Sequence, residues 1–272
     1  MPKAYKIGNN HEFKVNEFDP DDTSWWKGDK SSAKDETKEL KGKLIDLQQL
    51  LWAEKKHRLL IVLQAMDAGG KDGTIRSIFE GVNPQGVKVA NFRTPTEVEL
   101  AHDYLWRVHQ KTPETGEIVI FNRSHYEDVL VVRVKSLVPK KVWEKRYQQI
   151  VDFERMLSDE GTTVLKFFLH ISKDEQKARF MERIEKEHKQ WKFNPNDITE
   201  RQYWDDYMSA FEDAINKTST SFAPWYVIPA NRNWYRDYVI SKVLVDCLEG
   251  LKMKYPPPVE NIESYKENLE KS

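Results

Sequence analysis

The chain has 272 residues, enough for one large α/β domain with a buried core, or for a core plus a small lid. Its 43 Lys and Arg against 44 Asp and Glu leave a net charge of −1, which excludes a global basic field for nucleic acid and requires any polyanion to be held by a local cluster of cations. The single cysteine, Cys247, excludes a disulfide framework within the chain and a Cys-rich metal site, and no apolar stretch approaches the roughly 20 residues that span a bilayer. Residues 1–6 lead into no hydrophobic signal segment, so a soluble cytoplasmic protein with no membrane partner is expected.

In chain order, residues 1–35 are polar and irregular and read as an arm anchored on the body by Trp25 and Trp26. Residues 31–56 predict a helix, with Leu40, Leu44, Leu47, Leu50 and Leu51 at helical spacing. The run at 59–63, Leu-Leu-Ile-Val-Leu, predicts a strand buried on both faces of a parallel sheet. A glycine-containing turn follows at 64–74, then a helix through Ile75, Ile78 and Phe79 that Gly81 stops. Residues 87–92 predict a second strand, 96–109 a helix with Glu97 and Glu99 in its first turn, and 117–121 a third strand. A long helix covers 140–159 and a fourth strand 163–170. Two charged helices, 173–187 and 199–217, are separated by Asn194 and Pro195. A fifth strand at 225–229 and a helix at 234–251, with Cys247 as a small core residue, precede a loose tail opened by Pro256, Pro257 and Pro258. The expected division is an arm at 1–35, a core at 36–255 with a lid at about 173–218, and a tail at 256–272. Strands alternating with helices predict a three-layer α/β fold with a mainly parallel sheet and ligands beyond the carboxyl ends of the strands.

Two such ends carry chemistry. The first reads Met66-Asp67-Ala68-Gly69-Gly70-Lys71-Asp72-Gly73 between a strand and a helix, the setting of a phosphate-binding P-loop. Ala65 stands where that motif has its first glycine, and Asp72 where it has Ser or Thr. Gly69 and Gly70 let the backbone turn and aim amides at phosphate oxygens, the helix start adds its dipole, and Lys71 adds a point charge. Ala68 and Gly73 complete the cradle. Asp67 beside a phosphate calls for Mg²⁺ as mediator; it could equally act on the attacking phosphate or cap the turn, and Asp72 could cap the helix. At the second end, Asn122 occupies the place of a metal-binding Asp without its charge, Arg123 offers a bidentate fork to phosphate, and Glu127 and Asp128 are further candidate contacts for Mg²⁺ or nucleotide. His125 reads as structural, because transfer to a phosphate acceptor needs little proton movement.

These two segments and a third, Ala223-Pro224-Trp225-Tyr226-Val227-Ile228-Pro229-Ala230-Asn231, together resemble the polyphosphate kinase 2 (PPK2) family over about residues 35–255. The middle segment, with Asn122 and with Glu127-Asp128 after Tyr126, looks like the family's class III. The resemblance implies a thymidylate-kinase-like P-loop kinase core with a helical lid, and Mg²⁺-dependent phosphorylation of AMP and ADP from polyphosphate. It carries over Asp67, Gly70, Lys71 and Arg123 as catalytic or phosphate-binding; the Asn122 departure moves the expected metal ligands to Asp67 and Asp128.

Further candidates follow from position. Arg179 and Arg183, four apart on one face of a helix after the fourth strand, match lid arginines that close on the transferring phosphoryl group. Arg93 and Thr94, at the end of the second strand, are placed for the acceptor nucleotide, with Thr94 or Thr96 capping the next helix. Lys166, Arg133, Arg232 and Lys242 are weaker candidates for a polyphosphate path. The expected partners are polyphosphate, AMP, ADP and ATP, in a homo-oligomer, with no nucleic acid. An ATP-dependent nucleoside monophosphate kinase is the rival reading, disfavoured by Ala65 and Asp72. A non-catalytic polyanion binder is disfavoured by the neutral net charge.

Overall fold

The computed structural model describes residues 5–8 and 12–272. Leu59, Leu60, Ile61, Val62 and Leu63 are all buried, so the strand holding them, β2 (Arg58–Ala65), sits inside the sheet. Around it run β1 (Lys6–Ile7), β3 (Val87–Asn91), β4 (Ile118–Asn122), β5 (Thr162–His170) and β6 (Trp225–Pro229) in the order β1-β6-β5-β2-β4-β3. All pairings are parallel except that of β1 with β6. The register sets Leu63 beside Asn122 on one side and Phe167 on the other, so β2 and β4 end side by side.

The long helices are α1 (Lys30–Glu54), α2 (Lys71–Ile78), α3 (Lys140–Asp159), α4 (Lys173–Glu185), α5 (Trp204–Thr218) and α6 (Asn233–Gly250). Contacts sort most of them into two layers: α6 packs on α1 and α2, while α3 packs on α5 and β5. The three-layer α/β expectation holds, and each long helix falls where its periodicity predicts it.

Four local differences have physical causes. The two-residue strand β1 is too short to carry a pattern; it is held by the Tyr5 carbonyl, which accepts from Val227 N–H at 2.9 Å. The helix expected over 96–109 is two short turns, Glu97–Leu100 and Trp106–His109, because the Asp103 carboxylate accepts from the Leu105 and Trp106 amides and starts a new turn. The expected loose tail contains a helix at Ile262–Glu270. Of the stretch expected as lid, α5 belongs to the body: Phe211 stacks on Phe168 of β5 at 4.3 Å.

The polar arm is a strap. Tyr5 Oη meets Tyr235 Oη at 2.6 Å and donates to Asp22 at 2.7 Å. Trp25 and Trp26 lie on the Tyr238 ring, with centroids at 5.4 and 4.8 Å. Asp29 then caps α1, accepting from Ser32 N–H at 2.7 Å.

Candidate active site

The carboxyl ends of β2, β3 and β4 open on one basin of about 940 Å³, roofed by α4 and the chain after it. The loop after β2 forms its floor. Ala68 and Gly70 have φ of +60° and +99°, and a Cβ on Gly69 would lie 2.5 Å from that of Ala65. The turn therefore needs glycine at 69 and favours it at 70. Gly70, not Asp72, is the N-cap residue of α2, and the helix starts with no side-chain cap. Its orphan amides are left for a ligand, as at other anion-binding helix starts.

Lys71 donates from Nζ to the Ala65 carbonyl at 3.1 Å, which arches its amine over the loop. Burial lowers its pKa and the nearby Arg123 charge lowers it further, while Asp67, Glu127 and Asp72 oppose both. A phosphate beside Lys71 would restore the balance. Arg123 has φ +61° and donates from Nη2 to Asp67 Oδ1 at 2.9 Å. Asn122 donates to Asp72 Oδ1 at 2.7 Å and to Asn91 at 2.9 Å, so the polar side chain that replaces a metal-binding acid ties α2 to the ends of β3 and β4.

Across the basin, Arg179 is held by five groups, one of them Asn233 Oδ1 at 3.4 Å from Nη2. Nε donates to Glu175 at 2.7 Å, Nη1 to the Ala68 carbonyl at 2.9 Å, and Nη2 to the Ala230 and Asn231 carbonyls at 2.6 and 3.2 Å. Gln176 donates to the Asp67 carbonyl at 2.9 Å, so α4 grips the loop at two points. Arg183 lines the basin and reaches Asp197 at 3.3 Å. Lys189, Trp191 and Lys192 close the far wall. Arg93 and Thr94 stand on the β3 side, where the Arg93 carbonyl accepts from Arg107 at 2.9 Å. Thr96, rather than Thr94, makes the capping box with Glu99.

Asp67, Ala68, Gly69, Gly70, Lys71, Asp72, Gly73, Arg93, Thr94, Arg123, Arg179 and Arg183 thus share one basin. Several expected residues do not. Glu127 faces a smaller cleft with Asp67, Arg123 and Tyr207, and its pKa is raised by burial against the pull of Arg123 and Lys71. Asp128 lies outside both; the short turn His125–Asp128 points it at Arg146, whose Nη1 is 2.8 Å from its Oδ1. Asp67 and Asp128 are therefore turned to different partners and do not form a joint metal site. Lys166 is fully buried in an ion pair with Glu154 at 2.5 Å and donates to Tyr126 Oη and the Thr218 carbonyl, so it cannot meet a polyanion. Arg133 pairs with Asp213 and Lys242 with Asp246, both away from the basin. His125 is buried, with Nε2 at 3.2 Å from Glu154, as its structural reading requires.

One residue is absent from the sequence reading. Arg236, buried on α6, lies under the loop, where a Cβ on Gly70 would collide with its Nη1. It donates to Asn233 at 2.8 Å and to Asp237 at 2.7 and 2.9 Å, and burial lowers its pKa. Its spacing of four from Arg232 was the available signal.

The comparisons with known proteins agree with this geometry. The family described as Polyphosphate kinase 2 (PPK2) matches residues 27–256. An AMP/ADP-polyphosphate phosphotransferase of Meiothermus ruber is 61% identical over 256 residues, 94% of this chain and 96% of the relative. An ADP-polyphosphate phosphotransferase of Rhodopseudomonas palustris is 48% identical over 79% of this chain and 78% of its own. The crystal structure of Polyphosphate Kinase 2 from Arthrobacter aurescens TC1 superposes with a TM-score of 0.96 at 39% identity, over 99% of this chain and 96% of that one. The fold, the loop at residues 67–73 and the matches over nearly the whole chain meet in one conclusion: this chain belongs to the polyphosphate kinase 2 family.

Proposed function

We propose that the chain transfers the terminal phosphoryl group of inorganic polyphosphate to AMP and to ADP. The observation that carries the reading is the convergence on one basin of a backbone cradle at 68–70, Lys71, Arg123 and the α4 arginines. Family membership supports the donor: the Meiothermus ruber relative is named an AMP/ADP-polyphosphate phosphotransferase, that of Rhodopseudomonas palustris an ADP-polyphosphate phosphotransferase, and that of Pseudomonas aeruginosa a polyphosphate:AMP phosphotransferase.

In this reading the end group of polyphosphate rests on the loop amides and Lys71. The nucleotide docks on the β3 side near Arg93 and Thr94, where its phosphate oxygen faces that group in line. A P–O bond forms to the nucleotide as the bridging P–O bond breaks, and the shortened polyphosphate keeps the bond's electron pair. Lys71, Arg123 and Arg183 spread over the equatorial oxygens where charge develops. No side chain has to move a proton, which suits a site whose histidine is buried elsewhere.

The donor set suits Mg²⁺ at Asp67. That carboxylate is about a third exposed on the basin floor, and a hard cation that keeps most of its water is commonly held by one carboxylate together with substrate phosphates. When bound, the ion would neutralise phosphate charge beside Asp67. Arg123 holds that carboxylate in place.

The test is a matrix of donors and acceptors: long-chain polyphosphate or ATP against AMP or ADP, with Mg²⁺ present or chelated, followed by chromatography. Transfer from polyphosphate to both acceptors is expected. Transfer to AMP from ATP alone would defeat the reading.

A further inference from the structure

Behind the β3 side of the basin lies an outer cavity of about 640 Å³, and Asn91, Phe92, Arg93 and Thr94 line both. This wall is one chain thick with open space on either face. Its start is anchored by packing: the buried Phe92 ring meets Phe121 with centroids at 4.8 Å. The chain beyond it has no such anchor. The turn Glu97–Leu100 buries no residue, and Val98 and Leu100 are 63% and 70% exposed. The segment from Arg93 to Leu100 is therefore placed by polar bonds, and these converge on one side chain.

That side chain is Arg107. It is 8% exposed, and it is the buried charge among the described residues that line the outer cavity. Asp103 starts its turn, and the wholly buried Val108 pins the turn to the core. Arg107 Nη1 donates to the Arg93 carbonyl at 2.9 Å and to Glu99 Oε2 at 3.4 Å. The same Glu99 oxygen accepts from the Thr96 amide at 2.7 Å. The guanidinium also lies over the Phe92 ring, 5.4 Å from its centroid. One side chain thus meets the wall at residues 92 and 93 and, through Glu99, at 96.

Burying a guanidinium is costly unless it is paired and hydrogen-bonded. Arg107 spends its bonds on the wall and none on a ligand, for it lines the outer cavity and not the basin. Its charge also faces Asp128, whose ionised form it favours, which gives that carboxylate a place behind the wall rather than at a metal.

We propose that Arg107 is a positioning residue for the acceptor nucleotide: it fixes the wall on which Arg93 and Thr94 receive the nucleotide and touches neither substrate. The inference rests on the reading of function given above. It makes binding of the acceptor, and not of the donor, depend on Arg107.

The experiment measures kcat and KM for AMP, ADP and long-chain polyphosphate in the wild type, Arg107→Lys, Arg107→Met and Lys111→Gln, together with melting temperatures and calorimetric binding of ADP alone. Lysine keeps the charge but loses the planar fork, and methionine keeps neither. Lys111 is exposed on the same outer cavity, so its variant removes a nearby charge without a bond to the wall. KM for AMP and ADP should rise about fivefold in Arg107→Lys and about twentyfold in Arg107→Met, with the Kd of ADP moving in step and KM for polyphosphate holding within about twofold. Lys111→Gln should follow the wild type. If Arg107→Met does not fold, Arg107→Lys carries the test, because it keeps the charge that faces Glu99 and Asp128. An unchanged acceptor KM in Arg107→Lys overturns the assignment. So does an equal rise for donor and acceptor accompanied by a falling melting temperature, or the same rise in Lys111→Gln. A wild type that neither binds ADP nor transfers phosphate to it from polyphosphate instead defeats the functional reading beneath.

Discussion

Among the described residues, the Lys71 amine donates a hydrogen bond only to the Ala65 carbonyl, and burial and Arg123 both disfavour its charge. Replacement by Ala removes a group whose gain comes only with substrate bound. Turnover should fall by about 10²–10³-fold, in line with the loss of one preorganised charge donor, while the melting temperature holds or rises. A large drop in melting temperature would mean that Lys71 is structural. Asp128 makes a different case. Burial raises its carboxyl from 3.8 to about 6, against the pull of Arg146 and Arg107. Between those values the native state holds a proton that the unfolded chain has released, so the group's stabilising share is complete below the unfolded value and is lost as pH rises toward about 6. Denaturant titrations should show the wild type losing stability relative to Asp128→Asn across that window; a constant difference would refute the assignment. Both residues could be read as candidates, yet only one is at the site. The signal for Lys71 was a motif that imposes its own geometry. Asp128 sits one residue past Glu127, and a single short turn sends the two carboxylates to different partners, which no linear pattern displays. Arg236 stayed invisible for a related reason: it lies in a mostly apolar helix and acts through depth, beneath a glycine.

At the scale of elements, α3 and β5 are joined by the pair Glu154–Lys166, with Tyr126, His125 and Thr218 around it. This network also fixes the turn that presents Arg123. Removing one charge leaves the other buried without a partner, so Glu154→Gln or Lys166→Met should cost about 3–5 kcal/mol, whereas Glu154→Met/Lys166→Met should recover much of that loss. Additive losses in a thermodynamic cycle would show the two charges to be independent. The sequence placed Lys166 on a strand correctly, but the partner that neutralises it lies on the preceding helix. The α4 helix differs from α5 in a way that charge alone did not reveal. Periodic apolar residues bury α5 against the sheet, while α4 is held to the loop through Gln176 and Arg179 and to backbone carbonyls at residues 68, 230 and 231.

For the molecule as a whole, the central strands were legible because each is an uninterrupted apolar run with a turn at its end, and a parallel sheet buries such runs on both faces. The two-residue strand at the edge was not, since its pairing is decided by β6 and by the tyrosine at position 5. With charges nearly balanced overall, rising salt should weaken polyphosphate binding far more than it affects unfolding, because screening acts on exposed local clusters and little on the core. Titrations of the two quantities in the same buffer series would check this; parallel losses would place the electrostatics in the fold instead.

The strap that pairs with β6 also bears on how this catalyst could be mounted on a support. Asp21 accepts from Asn231, the Pro20 carbonyl accepts from the Asn231 amide, and Tyr5 braces Tyr235, the neighbour of Arg236 under the phosphate cradle. A linker grafted ahead of Tyr5 would transmit its pull along those bonds to the floor of the reaction chamber, and deleting everything before Asp29 would release them altogether. Among the described residues, those of the helix Ile262–Glu270 are exposed and make no hydrogen bond or ion pair with this machinery, so the helix is the natural handle: tethering there should preserve specific activity, whereas the deletion should lower it.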